Sequence, residues 1–434
     1  MITRYVFNTG LFCTFFLLLS VMVFSQPGPI TYEEYIRNAV ASEEEINVFL
    51  KKPSWAQFDP DVGYILGHYS PHDGVDGSKT ISTSGQDGSR TSFVYADRPC
   101  RINTYGNSFT QCHQVSDSET WQEYLAGHLG EPIRNYGMGG FGVYQAHRRM
   151  LREESTENSA EYIMLYIWGD DHIRSLLRCR YALTRAWNKT QDKKEGVGIM
   201  FHGNFWCNLE LNMQTGLIEE HESRIRTPEK LYLMTDPDWM LENLEDDLAL
   251  QMYLFEMGHI AAIDKNQMNR LAGHLKTDFN PNAEDMRQEV RQLLLKYAYA
   301  ATKYILVKSQ QYALDNNKKL LIILFDPYGT TRQLMKGEPR EDQEIVDFLE
   351  ANQMPYFDMN LVHADDYKKL NLNQEDYYQR YFIGHYNPMG NHFFAYSIKP
   401  VIVEWLDPPP FTYRKSNTLP ADFNNFHKKI QPDE

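Results

Sequence analysis

Residues 101–150 read RINTYGNSFTQCHQVSDSETWQEYLAGHLGEPIRNYGMGGFGVYQAHRRM. The stretch opens with a short β-prone run at 101–105 and a sharp turn at 106–108. A helix is predicted next, because the segment SDSE is typical of a helix start and the apolar residues after it have helical spacing. A second short strand at 132–136, a glycine-rich loop and a second helix at 143–151 follow. This order of elements predicts a parallel α/β sheet.

The alternation of strands and helices continues in the second half of the chain. Two almost continuous apolar runs, at 161–168 and 319–325, are typical of strands that are buried on both faces of a parallel sheet. Helical spacing predicts a long helix over 282–314 and a shorter one over 341–351, before a short strand at 356–359. We therefore expect an α/β fold, a three-layer α/β/α sandwich with a mostly parallel, flavodoxin-like sheet of about five strands.

The N-terminus has the features of a secretory signal peptide. Arg4 supplies a positive charge, residues 11–23 are apolar, and we expect cleavage after Ser25. The apolar run is short for a membrane span. We therefore expect a secreted or periplasmic protein with no stable membrane insertion after cleavage; the alternative is an uncleaved N-terminal anchor.

The remainder divides into an α/β domain and its additions. The N-terminal part begins with a predicted helix at 31–50, continues in a segment rich in Gly, Asp, Ser and Thr, and carries no apparent chemistry; we expect it to pack on the sheet edge. A later insertion interrupts the α/β alternation, and such insertions often form a lid or a substrate wall. The predicted parts are the signal peptide (1–25), an accessory segment (26–95), the α/β domain (96–406) with an insertion at about 188–280, and a C-terminal tail (407–434).

Composition limits the classes of partner. The chain has 434 residues, of which 42% are hydrophobic, so a large core is possible. The formal net charge is −15, and an acidic surface repels phosphates, which argues against nucleic acid as a partner. Oligomeric state is not predicted by these features.

The cysteines leave two possibilities open. Cys100, Cys112, Cys179 and Cys207 remain after signal cleavage, and an even count in an exported protein permits two disulfides in one of three pairings. Buried free thiols are the alternative. No CxxC pair is present in the sequence, and we expect neither a metal nor a cofactor.

Candidate functional residues lie where strands are predicted to end. Ser108 follows the first strand of the sheet, and open α/β sheets carry their chemistry at the carboxyl ends of their strands. The glycine loop at 137–142 follows the second strand, and glycine N–H groups can approach a ligand closely enough to hold an oxyanion. The apolar run at 161–168 ends in Gly-Asp-Asp-His (169–172), and His385 lies in a turn before the C-terminal helix.

These segments resemble the sequence blocks of the SGNH/GDSL hydrolase family. The first block of the family, Gly-Asp-Ser, matches residues 106–108, which are Gly-Asn-Ser here. The second block, an Asn followed by a Gly five residues later, matches Asn135 and Gly140. The third block, Gly-Asn-Asp or similar, aligns with 169–171, and the fifth, a His followed by Asn-Pro, Gly and a helix, aligns with His385.

The resemblance implies a serine hydrolase with Ser108 as nucleophile, His385 as general base, and the backbone N–H groups of Ser108 and Gly140 in the oxyanion hole. A third donor in the family is an Asn side chain, whose position is held here by Asp170. An ionised carboxylate cannot donate a hydrogen bond and would repel an oxyanion. Either Asp170 is protonated, or the hole uses other donors, or Asp170 and Asp171 serve another task; His172 and Arg174 follow closely and could supply positive charge.

The orienting acid of the family also has no counterpart at its usual place. The family has an Asp two or three residues before the catalytic His, where this chain has Ile383 and Phe382. Some serine hydrolases work as dyads, in which a backbone carbonyl holds the imidazole. Since loss of the orienting acid from a triad can be severe, either the activity of this chain is low or its architecture differs. The candidates for the acid or a supporting contact are Asp171, His172 and Asp376, with Glu375 and Asp358 as further carboxylates.

The resemblance implies hydrolysis of an ester, an acyl group on a carbohydrate or lipid, through a Ser108 acyl-enzyme. Two alternatives use the same fold: a glycan-binding protein in which Asp170 and Ile383 mark lost catalysis, and an O-acyltransferase that uses the same residues. The distance between His385 and Ser108 distinguishes the first alternative from catalysis, since a general base needs hydrogen-bond reach of about 2.6–3.2 Å.

Overall fold

The computed structural model describes residues 28–188 and 203–414. The predicted signal peptide, part of the predicted insertion and most of the predicted tail lie outside these residues. The strands are β1 (Ala56–Asp59), β2 (Gly63–Leu66), β3 (Ile102–Tyr105), β4 (Ile133–Asn135), β5 (Tyr162–Ile167), β6 (Asn208–Leu211), β7 (Ile218–His221), β8 (Lys319–Leu324) and β9 (Tyr356–Asp358).

Helices account for most of the remaining described chain, together with short 3₁₀ turns. The α-helices are α1 (Tyr32–Asn38), α2 (Glu43–Lys51), α3 (Ser108–Gln111), α4 (Trp121–Leu129), α5 (Val143–Glu153), α6 (Gly169–Arg174), α7 (Tyr181–Asn188), α8 (Pro237–Leu244), α9 (Leu248–Glu256), α10 (Lys265–Leu275), α11 (Met286–Asp315), α12 (Thr330–Lys336), α13 (Gln343–Ala351), α14 (Met359–Leu370), α15 (Gln374–Tyr381) and α16 (Pro388–Trp405).

Five strands form the central sheet in the order β4-β3-β5-β8-β9, and every neighbouring pair is parallel. The register pairs Ile102 of β3 with Ile133 of β4 on one side and with Tyr162 of β5 on the other. Helices cover both faces, so the predicted three-layer α/β/α sandwich is confirmed. The strand order reverses between β3 and β5, and this is where open α/β sheets place their crevice.

Successive residues of β5 enter two different cores, as the strand period of two requires. Ile163 and Leu165 pack in the core that also contains α5 and α11, whereas Met164 and Tyr166 pack in the core that contains α4 and α16. The continuous apolar run at 161–168 is explained by this burial on both faces.

The N-terminal segment differs from the prediction of one helix at 31–50. Two helices, α1 and α2, occupy this range, and the chain between them turns because Ser42 caps α2. The Ser42 hydroxyl accepts from the backbone N–H of Glu45, and the Glu45 carboxylate accepts from the backbone N–H of Ser42, which is a capping box. A capping box marks the start of a new helix, so the helical spacing of apolar residues at 31–50 belongs to two helices and not to one.

The N-terminal segment and the insertion pack against each other. The backbone of Ile30 pairs with that of Ile260, the N–H of Ala41 donates to the carbonyl of Met234 at 3.0 Å, and helices α1 and α8 are in contact. At the sheet edge, the N–H of Arg90 donates to the carbonyl of Asn135 in β4 at 2.8 Å. Both additions therefore extend the α/β unit and share its core.

The four cysteines Cys100, Cys112, Cys179 and Cys207 are free thiols. Of the two possibilities that the sequence left open, the structure therefore has the free thiols. Within 28–188 and 203–414, no helix combines the length and the apolar character needed to cross a membrane.

Candidate active site

The turn after β3 presents Ser108 at the carboxyl end of the sheet. Gly106 is required there, because a Cβ at this position would lie 2.3 Å from Oγ1 of Thr110 and 2.8 Å from Cβ of Tyr166. Asn107 caps α3 by accepting a hydrogen bond from the N–H of Phe109 at 2.8 Å. Its Nδ2 donates to Oδ2 of Asp171 at 2.9 Å, which fixes the turn to the end of β5.

His385 lies within hydrogen-bond reach of Ser108, with 2.8 Å between Nε2 and Oγ. The turn before α16 delivers the imidazole: Asn387 caps the helix by accepting from the N–H of Gly390, and Pro388 occupies the first helical position. The ring of Phe109 packs against the imidazole with 5.0 Å between ring centroids. The two sequence-predicted residues, 277 positions apart, are thus brought together.

The partner of the other imidazole nitrogen is Gln114. Its Oε1 lies 3.0 Å from Nδ1 of His385 and also accepts from the backbone N–H of His385 at 2.8 Å. Its Nε2 donates to the backbone carbonyl of Asp73 at 3.2 Å. A neutral amide therefore occupies the position at which a triad has its carboxylate.

These contacts also fix the tautomer of His385. The backbone N–H of His385 can only donate, so the Gln114 atom that faces it is the carbonyl oxygen. That oxygen then accepts from Nδ1–H of the imidazole, which leaves the lone pair of Nε2 directed to the hydroxyl of Ser108. A Ser–His pair needs this tautomer, because Nε2 must accept the proton of the nucleophile.

A second histidine, His113, contacts His385 and is itself paired with the carboxylate of Asp73. His113 packs against His385 with 4.9 Å between ring centroids and the rings tilted by 45°, and its Nε2 lies 3.3 Å from Oδ2 of Asp73. Burial raises the pKa of Asp73, but hydrogen bonds from His113 and Thr80 outweigh it and hold the pKa below its ordinary value. Burial, His113 and Arg174 lower the pKa of His385 well below that of a free histidine, and the Asp73 charge opposes them only in part.

The segment that carries Gln114 is held by a buried arginine from the N-terminal segment. Arg90 donates through Nε to Oδ1 of Asp117 at 2.9 Å, and through its terminal nitrogens to the carbonyls of Gln111, Cys112 and Val115 at 2.5–2.6 Å. The segment needs this support, because Cys112 and Gln114 have positive φ angles of 60° and 71°. Residues 28–95, in which no chemistry was apparent, therefore contribute Asp73 and Arg90.

The glycine loop after β4 supplies a candidate oxyanion hole. Asn135 accepts from the N–H of Gly137 at 2.9 Å, and Gln111 accepts from the N–H of Gly139 at 2.6 Å. The N–H groups of Ser108 and Gly140 have no acceptor among the residues that the structure describes. Two backbone donors of this kind are what an oxyanion hole requires.

Four further sequence-predicted residues do not contact His385. Asp170 pairs with Arg174 at 3.1 Å, and its side chain is 45% exposed. Asp171 is buried and accepts from Asn107, Arg174 and the N–H of Trp168; burial raises its pKa to about 7.

His172 lies against Thr302, with 2.8 Å between Nδ1 and Oγ1, and burial lowers its pKa to about 4. Asp376 is exposed and pairs with Asn373 at the start of α15. The expectation that one of these residues orients His385 is therefore wrong: the orienting group is an amide 271 residues earlier in the chain.

A cavity of about 420 Å³ opens at the carboxyl ends of β5 and β8. Aromatic and acidic side chains line it, among them Trp168, Tyr253, Tyr299, Tyr328, Asp170 and Glu256. Ser108 and His385 do not line it, but two lining residues contact their neighbours in the chain: Trp168 packs on Phe109, and the hydroxyl of Tyr328 donates to the carbonyl of Gly384. No group of three or more His, Cys, Asp or Glu residues that could hold a metal ion occurs in the described part of the chain.

No model of a known protein family matches this sequence, and no curated protein matches it.

Proposed function

We propose that this protein is a serine hydrolase of the SGNH type that cleaves an ester. The observation that carries the proposal is the 2.8 Å contact between Nε2 of His385 and Oγ of Ser108. The orientation of Gln114, the free N–H groups of Ser108 and Gly140 and the nearby cavity support it. A binding protein with lost catalysis would have no need of the tautomer that Gln114 selects.

The proposed reaction proceeds through an acyl-enzyme. Oγ of Ser108 attacks the ester carbonyl while Nε2 of His385 takes the hydroxyl proton, and the N–H groups of Ser108 and Gly140 bind the tetrahedral oxyanion. The C–O bond to the alcohol then breaks, and His385 returns the proton to the leaving alcohol. Water attacks the acyl-enzyme with His385 again as base, which releases the acid and restores the Ser108 hydroxyl.

The cavity favours a substrate that carries an acylated carbohydrate. Aromatic faces such as those of Trp168 and Tyr328 can stack on sugar rings, and carboxylates such as Asp170 and Glu256 can accept hydrogen bonds from sugar hydroxyls. A long lipid chain would remove water from these carboxylates and offer them no hydrogen bond in return. Export of the protein by its N-terminal segment is part of the same proposal, since O-acylated polysaccharides lie outside the cell.

Labelling by a fluorophosphonate tests the proposal directly. We expect stoichiometric modification of the folded protein, loss of labelling in Ser108→Ala, and a loss of more than about 10²-fold in labelling rate in His385→Ala. Circular dichroism of each variant would serve as the folding control. A folded wild-type protein that stays unlabelled across a wide pH range would overturn the proposal and favour the glycan-binding alternative.

A further inference from the structure

Arg180 is a buried cation that forms no direct ion pair with a carboxylate of the described residues. The side chain of Arg180 lies against Gly140. A Cβ added to Gly140 would be 2.1 Å from Nη1 of Arg180 and 2.7 Å from the hydroxyl of Tyr64. The residue is 8% exposed. Between 28–188 and 203–414 it forms no ion pair with a carboxylate, and only the Tyr64 hydroxyl is close enough to share a polar contact with it. Burying an uncompensated charge is costly unless a partner arrives.

The neighbouring Arg174 leaves neither of its two carboxylates free to pair with Arg180. Arg174 is also buried, but its guanidinium already pairs with both Asp170 and Asp171 at 3.1 Å. Burial and the charge of Arg174 lower the pKa of Arg180 to about 10, so Arg180 stays protonated at neutral pH. Arg180 is therefore the cation of this group without a directly paired carboxylate, and the charge of Asp170 offsets it only from a distance.

The location of Arg180 connects this charge to the substrate cavity. Arg180, Arg174 and Leu183 line a narrow crevice together with Asp170 and Tyr253. The crevice holds about 10 Å³, and its last two residues also line the 420 Å³ cavity. Because Arg180 lies against Gly140, an anion that reaches its guanidinium would lie beside the proposed oxyanion hole.

We propose that Arg180 binds a carboxylate carried by the substrate, so that the enzyme selects acidic esters. This inference rests on the proposed hydrolase function. The planar guanidinium suits a carboxylate because it can donate two parallel hydrogen bonds. The transient oxyanion is the weaker candidate, since the N–H groups of Ser108 and Gly140 already serve it and it would compensate Arg180 only during the tetrahedral intermediate.

A binding measurement tests the carboxylate site without requiring turnover. We would titrate the full-length protein with glucuronate, with glucose as the matched neutral sugar and with inorganic phosphate as a second anion. The wild type is expected to bind glucuronate at least about tenfold more tightly than glucose or phosphate. Arg180→Gln should remove this preference and Arg180→Lys should keep part of it. Equal affinity for glucuronate and glucose, tighter binding of phosphate, or an unchanged preference in Arg180→Gln would each overturn the proposal.

Arg178→Gln is the matched control. Arg178 is buried two residues away, but it is paired with Glu210 at 2.5 Å and with Asp246, so its loss should lower stability and leave the preference for glucuronate intact. If Arg180→Gln does not fold, Arg180→Lys carries the test, because it keeps the charge and loses the planar fork.

A kinetic comparison separates a substrate carboxylate from the oxyanion. The 4-nitrophenyl monoester of succinic acid and 4-nitrophenyl butyrate have acyl groups of the same length, but only the succinyl group ends in a carboxylate. Arg180→Gln should lower kcat/KM for the succinate ester by at least about tenfold more than for the butyrate. An equal loss of kcat on both esters would overturn the proposal and assign Arg180 to the oxyanion. A wild type that cleaves neither ester and resists the fluorophosphonate would contradict the hydrolase function, while the titrations would still decide the carboxylate site.

Discussion

Gln114 does part of what a triad carboxylate does. Its Oε1 orients the imidazole of His385 and selects the tautomer, but it carries no charge that would stabilise the imidazolium formed when Ser108 gives up its proton. The nearest negative charge, on Asp73, reaches His385 through His113. We therefore expect a working base whose protonated form is less favoured than in a Ser-His-Asp triad.

Replacing Gln114 tests this division between orientation and charge. Gln114→Met keeps the length of the side chain but removes the acceptor for Nδ1–H, and we expect kcat for ester hydrolysis to fall by about 10²-fold. Gln114→Glu keeps an acceptor and adds a charge that favours the imidazolium, so the acid limb of its kcat/KM–pH profile should move to higher pH. A Gln114→Met variant with wild-type kcat would show that the amide does not position His385.

The lowered pKa of His385 gives a pH dependence with a definite sign. The base is active when neutral, and the lowered pKa keeps it neutral at pH values below the ordinary histidine pKa of 6.5. The rate of fluorophosphonate labelling should therefore reach half its maximum well below pH 6.5. His113→Gln removes one cause of the lowering and should shift the midpoint upward. A wild-type midpoint at or above pH 6.5 would contradict the environment described for His385.

At the scale of elements, the approach of two turns creates the site. The segment between α3 and α4 carries Gln114, and the turn before α16 carries Gly384 and His385. Gly384 has a φ of +110°, and a Cβ on it would lie 2.8 Å from Oε1 of Gln114. The glycine thus permits both the backbone conformation and the contact.

Gly384→Ala should lower the reactivity of Ser108 in addition to the unfolding free energy. A matched control is Gly337→Ala, because Gly337 also has a positive φ, of +74°, but has no atom within 4 Å of the added Cβ. Each variant is expected to lose about 1–2 kcal/mol of unfolding free energy from backbone strain, measured by urea denaturation. Only Gly384→Ala should also lower the labelling rate of Ser108. Equal labelling rates in the two variants would show that the contact between the turns does not matter.

Local sequence patterns predicted the elements that are long, apolar or marked by turn residues. Consecutive residues were enough to predict β5, β8 and α11. The two strands are continuous apolar runs, because they are buried on both faces of the sheet, and the helix has regularly spaced apolar residues. The division between α1 and α2 was missed although Ser42 and Glu45 form a visible Ser-x-x-Glu capping pattern. The apolar spacing alone predicts one helix at 31–50, whereas the capping pattern at Ser42 predicts the break that the structure has.

The candidate site could be predicted only as far as its local motifs extend. Ser108 and His385 lie in turns with glycine, asparagine and proline at recognisable offsets, so each could be named from its neighbours. Gln114, Asp73 and Arg180 meet the site through contacts between distant parts of the chain, and nothing adjacent to them marks this role. The residues next to His385 in the sequence do not reveal its partner, because Gln114 belongs to another element.

At the scale of the whole molecule, the additions and the α/β unit share one core. Ile36, Phe49 and Tyr64 of the N-terminal segment and Trp206 of the insertion are buried in the same cluster as Leu165 of β5. Residues 28–95 and the described part of the insertion therefore complete the core on one face of the sheet, and we do not expect them to behave as separate domains.

This shared core predicts one cooperative unfolding transition. Amides of Gly67, Leu209 and Phe325 represent the N-terminal segment, the insertion and the sheet, and each donates to a backbone carbonyl. Hydrogen exchange followed along a urea series should give the three amides the same midpoint, coincident with that from near-ultraviolet circular dichroism. Earlier loss of protection at Gly67 or Leu209 would instead indicate a unit that unfolds independently.

The dependence of the site on residues from Asp73 to His385 has a consequence for biosynthesis. A ribosome delivers Asp73 first, then Ser108 and Gln114, and last His385, which follows Gln114 by 271 residues. Until β9 and α16 have folded onto the sheet, the Ser108 side chain is an ordinary alcohol with no base beside it. If the protein is the hydrolase proposed above, we expect the growing chain to be unreactive toward esters until the segment that carries His385 has emerged and folded.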